Sequence, residues 1–357
     1  MLEELLPFIS FHETNDIYLY LSIFISSFLI QLTLIKTKFF VSKNYKDQVQ
    51  KIHLNDTSRH GGLGIFVVVL FFSIYLEEKI LSPFCIIYLI IFFVTFMEDS
   101  FHSIQPKYRL ISILCSSTIA VIYLQQNFGL PEVHLPIFNL EINNQIVLMG
   151  AIIFFISSII NGSNLIDGAN GLCAFSFLSI LFTLYYFANK SNDAEILDAL
   201  HIIIPTIIAF SILNFPKGRI FLGDNGAYFI GYITSILIFI YIINNPNIPS
   251  WSIIALLFYP GFEVLFSFIR KTFNKKNPFK ADNEHLHLLT FKLLKSGVIY
   301  NWVANSLVTV FLIVVWLVPC ILVLVFSRSI LSILIILLIS IYIYLSLYYA
   351  VKYGSKK

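Results

Sequence analysis

The sequence predicts an all-α fold, a polytopic membrane helix bundle of about eleven transmembrane helices making one domain over residues 1–357. Three observations carry this. The chain is 58% hydrophobic and only 12% charged, with a mean hydropathy of +0.84, whereas soluble domains carry about 25% charged residues. Apolar runs recur along its whole length, leaving no stretch long enough for a separate soluble domain. Basic residues fall almost wholly into alternate loops, as they do in membrane proteins of fixed orientation.

The first 16 residues are acidic (Glu3, Glu4, Glu13, Asp16) and have no basic leader, so they are not read as a cleaved signal. Apolar runs of spanning length then fall at 17–35, 61–76, 81–97, 110–124, 146–160, 171–188, 199–213, 227–243, 251–269, 303–326 and 330–351. With the N-terminus outside and the C-terminus cytoplasmic, the inner loops and tail hold 20 of the 23 lysines and arginines. The outer loops hold only Lys79, Lys190 and Arg328. A miscounted span would break this alternation downstream. Cys85, Cys115, Cys173 and Cys320 each lie within an apolar run at no metal or disulfide spacing and read as packing residues.

The unusual polar residues all fall on the inner side. Residues 57–62 bring Arg59 to the start of a span. Glu98-Asp99 closes the run 81–97 and precedes Lys107 and Arg109. Two adjacent carboxylates at the lip of an apolar helix are costly unless paired or metal-bound, and Lys107 and Arg109 could neutralise them. The stretch 161–172, Asn-Gly-Ser-Asn-Leu-Ile-Asp-Gly-Ala-Asn-Gly-Leu, sets Asn161, Asn164 and Asp167 along one side of a helix. A carboxylate flanked by amides and open backbone N–H groups suits a Mg²⁺–diphosphate ligand; the plainer reading is a tight turn. In 215–226, Asp224 stands at a helix start, where it can face a metal or act as the helix cap. The last inner loop carries Arg270, Lys271, Asp282, Glu284, His285 and His287. His285-Leu286-His287 is half of a zinc site without the other ligands, so a phosphate-facing role is preferred. The middles of the spans hold almost no ionisable group apart from Glu263, and no internal repeat is evident, which weighs against a transporter.

In their order and sidedness these stretches resemble the polyprenyl-phosphate N-acetylhexosamine-1-phosphate transferase family, glycosyltransferase family 4. The likeness is greatest to its undecaprenyl-phosphate GlcNAc-1-phosphate and O-antigen-initiating branch. Residues 164–172 are similar to that family's N-x-x-D-G-x-D-G-L, residues 220–226 to its F-x-G-D-x-G, and residues 282–287 to its D-x-x-H-x-H-H. The resemblance implies a bacterial inner-membrane enzyme with its site on the cytoplasmic face. It would transfer N-acetylhexosamine-1-phosphate from a UDP-sugar to undecaprenyl phosphate, release UMP and begin a cell-surface polysaccharide such as O-antigen. GlcNAc is the favoured sugar, with FucNAc, QuiNAc or MurNAc-pentapeptide as competitors; a lipid-linked sugar transporter and an inactive scaffold are the other classes. The implied cofactor is Mg²⁺, with Mn²⁺ as a substitute. The implied partners are the UDP-sugar, the polyprenyl phosphate and membrane lipid, with no nucleic acid and a homo-oligomer left open.

By resemblance the catalytic residues are Glu98, Asp99, Asp167, Asp224 and His285. Asp224 would be the metal ligand, and Asp99 either a base or part of the metal shell. Arg59, Lys107, Asn164, Gly168, Asn170, Phe221, Arg270 and His287 would bind substrate. Gly168 to Asn170 with Phe221 would make a uridine platform, and Arg59, Arg270, His285 and His287 would finish a phosphate pocket. Three departures stand out: Glu98 where the family has Asp, Asn170 where it has a second Asp, and Leu288 where it has a third imidazole.

Overall fold

The computed structural model describes residues 14–37, 57–101, 104–135, 140–141, 144–278, 282–297, 300–326 and 329–354. The acidic residues up to Glu13, together with Lys38, Lys43, Lys46, Lys51, Lys280, Arg328, Lys356 and Lys357, lie outside that description. The helices are α1 (Thr14–Thr37), α2 (Gly61–Tyr75), α3 (Leu81–Phe101), α4 (Pro106–Asn127), α5 (Gln145–Ile166), α6 (Leu172–Ser191), α7 (Ala194–Asn214) and α8 (Gly223–Asn244). They continue as α9 (Ser252–Leu256), α10 (Phe258–Phe273), α11 (Leu286–Lys295), α12 (Asn301–Phe311), α13 (Ile313–Trp316), α14 (Val318–Phe326) and α15 (Ile330–Gly354). Two short strands, β1 (His134–Leu135) and β2 (Leu140–Glu141), pair antiparallel between α4 and α5.

Local chemistry sets several helix ends. Pro106 opens α4 at a position whose N–H would have no helical partner. The Asn144 side chain caps α5 by accepting from Ile146 and Val147, and Asp193 caps α7 by accepting from Ile196. The expected span 251–269 is broken at Leu257, between α9 and α10. Pro260 lies three residues beyond the break, and a proline ring clashes with the carbonyl four residues earlier.

Helix α8 is the axis of the bundle. It is apolar all round and buried along nearly its whole length, as such a helix must be. Helices α2, α3, α5, α6 and α7 pack around it. At the α2–α8 crossing the two backbones touch: a Cβ on Gly62 would lie 2.1 Å from the Gly226 nitrogen. Small residues permit this approach where van der Waals packing is the main force between helices. Helices α1 and α15 lie on the periphery, with few of their residues buried.

Among the described residues, nine helical segments are long and apolar enough to cross a membrane, against the eleven runs expected. Helix α2 has only 15 residues, about 22 Å at 1.5 Å per residue, and the α9–α10 segment is interrupted. Contacts nevertheless sort the loops into two ends. At one end Gly61 meets Phe221, Asp99 meets Asp224, Asn170 meets Pro216, and Lys352 meets Glu284. At the other, Lys79 pairs with Glu195, the Asn244 and Asn245 amides donate to Asp193, and Ser250 donates to the Glu132 carbonyl. Helix α2 and the α9–α10 pair therefore each run from one end to the other.

Candidate active site

Three carboxylates from three segments converge at the first end. Asp99, at the close of α3, accepts the Asp224 N–H on Oδ1 and the Asn225 N–H on Oδ2, both at 3.0 Å. These are first-turn donors of α8 that have no partner within their own helix. The cap of α8 is thus a side chain from α3 and not Asp224, which sits inside the first turn. Gly223 makes the approach feasible. Its φ is +74°, and a Cβ there would stand 2.1 Å from the Arg59 carbonyl oxygen and 2.8 Å from Asp99 Oδ2.

The same junction is laced by backbone. Gly61 and Gly62 donate to the Phe221 and Leu222 carbonyls at 2.9 and 2.8 Å, and Phe221 donates to the Ser58 carbonyl at 2.9 Å. Arg59 is thereby held beside the start of α8. Phe221, expected to stack on a nucleobase, is half-buried against Gly218, where a Cβ would lie 3.0 Å from its ring.

Asp224 is ion-paired with Arg109 of α4. From the sequence, Arg109 and Lys107 were both candidates to neutralise Glu98 and Asp99. The structure joins Arg109 to Asp224, while Lys107 is exposed with its Nζ 4.9 Å from the Tyr108 ring centroid. Glu98 accepts the Ile104 N–H at 2.9 Å and so braces the turn between α3 and α4.

Asp167 follows the last turn of α5. Burial pushes its carboxyl well above the usual carboxylate range; the charges of Asp224 and Asp99 push it further, and Arg59 opposes them. Among the described residues nothing donates a hydrogen bond to its side chain. Asn164, one turn earlier, donates to the Tyr228 hydroxyl of α8 at 3.4 Å. Asn161 donates to the Ser157 carbonyl of its own helix.

The turn after Asp167 is clamped from two sides. Gly168 lies under His287: a Cβ there would fall 1.9 Å from the imidazole Nε2. Asn170 is buried and engaged on three atoms. Its N–H donates to Asn305 Oδ1 at 2.6 Å, its Nδ2 to the Pro216 carbonyl at 2.8 Å, and its carbonyl accepts from Thr309 at 2.7 Å. Asn214 Oδ1 takes the next N–H, that of Gly171, at 2.6 Å. The departure from Asp has a physical reason here, since a carboxylate has no N–H to give Pro216.

The histidine loop is anchored by charge. Arg270, expected to face phosphate, is buried and paired with Asp282 at 2.9 Å and Glu284 at 3.1 Å. Its charge is therefore met by carboxylates of its own loop. Lys352 and Lys276 also hold Glu284, and those bonds draw its carboxyl down to about 2. His285 Nδ1 lies 2.9 Å from Glu263 Oε1, and Glu263 Oε2 accepts the Tyr344 hydroxyl at 2.6 Å. The His285 and His287 rings stack with centroids 6.0 Å apart. Burial lowers the His287 imidazole to about 3, helped by neighbouring His285.

Glu263 and Tyr344, with Asn214, Asn305, Thr309 and Tyr228, brace the site without having been expected in it. Their only signal in the sequence is that each is a polar side chain in a largely apolar helix.

Asp224 and Asp167 are hard oxygen donors crowded by like charge, which a bound cation would relieve. Among the described residues no group of three or more His, Cys, Asp or Glu side chains forms a complete cage. Mg²⁺ asks for less than a cage, since it keeps waters and takes substrate phosphates beside one or two carboxylates.

Comparison with known proteins finds likenesses over this part of the chain. Residues 81–242, which include Asp99, Asp167 and Asp224, match the model of Glycosyl transferase family 4. The chain is 28% identical over 261 residues to a Bacillus subtilis protein named "Probable undecaprenyl-phosphate N-acetylglucosaminyl 1-phosphate transferase", covering 68% of this chain and 69% of that one. It is 26% identical to the undecaprenyl-phosphate alpha-N-acetylglucosaminyl 1-phosphate transferase of Thermotoga maritima, over 64% of this chain and 65% of that one. To the decaprenyl-phosphate N-acetylglucosaminephosphotransferase of Mycobacterium leprae it is 25% identical, over 41% of this chain and 43% of that one. The alignment thus spans less than two thirds of the Thermotoga and Mycobacterium relatives.

Proposed function

We propose that this chain transfers N-acetylglucosamine-1-phosphate from UDP-N-acetylglucosamine to undecaprenyl phosphate, releasing UMP. The reaction takes place at the cytoplasmic face of the bacterial inner membrane and starts assembly of a cell-surface polysaccharide. The observation that carries this is the convergence of Asp99, Asp167 and Asp224 with Arg59 and Arg109 at one end of an apolar bundle. The names of the relatives supply the sugar and the polyprenyl acceptor. The count of basic residues supplies the orientation, with all eleven apolar runs crossing.

In the reaction an oxygen of the lipid phosphate attacks the β-phosphorus of the donor. The bond from that phosphorus to the bridging oxygen breaks, and UMP leaves with the electron pair. Two anions must approach each other, so the work of the protein is positioning and charge stabilisation. Asp224 and Asp167 would hold a Mg²⁺, which when bound offsets phosphate charge and supports the leaving group. Arg59 adds fixed positive charge, and Arg109 holds Asp224 in place. Asp99 keeps the first turn of α8 in register with both. His287 packs on Gly168 and keeps the turn after Asp167 closed. The apolar surface of the helices takes the polyprenyl tail, which is why the site belongs at the bilayer surface.

The test is to incubate the purified protein with Mg²⁺, polyprenyl phosphate and a panel of radiolabelled UDP-sugars. GlcNAc-1-phosphate should enter the lipid phase with UMP released in equal amount. If no sugar enters that phase and no UMP appears, the reading is wrong.

A further inference from the structure

We infer that Glu263, completed by Tyr344 of the last helix, is the positioning residue of the histidine loop, acting through His285 and His287 on the turn that carries Asp167. The inference rests on the transferase reading and names a part of the site beyond the motifs that suggested it. Glu263 is 1% exposed inside α10, where an unpaired carboxylate would be strongly unfavourable. All of its bonds go outside its own helix. Oε1 faces His285 Nδ1 at 2.9 Å and takes the Leu286 N–H at 3.4 Å; Oε2 takes the Tyr344 hydroxyl at 2.6 Å.

Apolar side chains could join α10 to α15 equally well, and Phe262 and Phe266 already do so by packing on Tyr344. What apolar contacts cannot do is fix the rotation of an imidazole. His285 meets a carboxylate on each side of its ring, Glu263 at Nδ1 and Asp282 at 3.5 Å from Nε2. The ring is held nearly parallel to His287, at 13°. His287 in turn rests its Nε2 on Gly168, the residue after Asp167. Orientation therefore passes from Glu263 through two stacked rings to the α5–α6 turn. Second-layer carboxylates that orient imidazoles act in this way at metal sites, where their loss costs about 10–100-fold in activity.

The experiment uses the full-length protein in lipid nanodiscs with Glu263→Gln, Glu263→Asp and Tyr344→Phe. Two readouts are taken. One is kcat and KM for UDP-N-acetylglucosamine. The other is the hydrogen-bonded ring N–H proton of His285 in the spectrum of histidine-labelled protein, assigned by its loss in His285→Gln. Glu263→Gln should lower kcat about 10–100-fold with KM nearly unchanged, and should move the ring proton upfield as a neutral acceptor replaces a charged one. Glu263→Asp, which keeps the charge, should retain more of kcat, and Tyr344→Phe should show a smaller loss of the same kind. An unchanged kcat, a change confined to KM, or an unmoved ring proton overturns the inference. If Glu263→Gln does not fold, Tyr344→Phe, which removes a single hydroxyl, decides on the same readouts. If the wild-type protein transfers no sugar phosphate, the transferase reading fails, and the ring proton still decides whether Glu263 positions His285.

Discussion

Asp99 and Asp224 meet through backbone and not through their carboxylates: Asp99 accepts the Asp224 N–H at 3.0 Å and the adjoining Asn225 N–H at the same distance. The most buried helix of the bundle is therefore capped by a residue from another helix. Asp99→Ala should remove the cap, at a cost of about 1–2 kcal/mol, and loosen Asp224 along with it. A lower thermal midpoint together with lost transfer is the expected result. Lost transfer at an unchanged midpoint would make Asp99 a chemical participant and not a positioning residue.

Asp224 has a different burden. Arg109 engages its Oδ2, and Asp224 is the acidic residue within the first turn of α8. Asp224→Asn should lower transfer by roughly 100-fold or more, the scale of losing one preorganised electrostatic contact, without unfolding the protein. Arg109→Lys should recover only part of the activity lost in Arg109→Ala, because the ammonium lacks the planar fork of the guanidinium. Transfer rates and thermal midpoints of the three variants check both statements.

Much of this was legible from residue type and order, and the failures share a cause. The apolar runs gave the helices because their length and hydropathy are local properties. Helix α2 (Gly61–Tyr75) follows the expected run 61–76 almost to the residue, whereas the run 251–269 is broken at Leu257, next to the Pro260 ring, because a helix break is a matter of geometry and not of hydropathy. Asp99, Asp167 and Asp224 could be found since glycine and carboxylate cluster at helix ends. Which cation serves which carboxylate could not: Arg109, Lys107 and Arg270 are equivalent until the loops are folded. Arg270 then turns out to be held by Asp282 and Glu284, twelve and fourteen residues on.

Gly168 tests the clamp over the turn. Alanine there would place its Cβ 1.9 Å from His287 Nε2, so the ring must move. Overpacking of this kind costs about 1–3 kcal/mol, and transfer should fall with it. Adding His287→Ala to Gly168→Ala should restore the thermal midpoint by making room, but not the activity. Activity regained in the double variant would show that His287 has no part in the reaction.

His287 also sets an acid limit. Its imidazole is lowered from 6.5 to about 3 by burial, so the folded protein resists a proton that the unfolded chain accepts. Stability is full above pH 6.5 and is lost as pH falls from there toward 3, by up to about 1.4 kcal/mol per pH unit. The thermal midpoint of the wild type should therefore fall between pH 7.5 and 5.0, and His287→Gln should flatten that slope. Equal slopes in the two proteins would refute the assignment.

Asn170→Asp restores the family's carboxylate, and its effect separates two views of this position. Were Asn170 a contact for the nucleotide-sugar, the change would alter preference among UDP-sugars. In the structure its Nδ2 instead donates to the Pro216 carbonyl at 2.8 Å, in a buried setting shared with Asn305, Thr309 and Ser306. An aspartate there would set oxygen against oxygen and leave a buried carboxylate oxygen without a donor, at a cost of about 1–3 kcal/mol, while the Pro216 carbonyl keeps the Ser306 hydroxyl. The expected result is a lower thermal midpoint and a reduced rate with every sugar, in unchanged order. A changed order of sugars at an unchanged midpoint would place Asn170 in the substrate pocket after all.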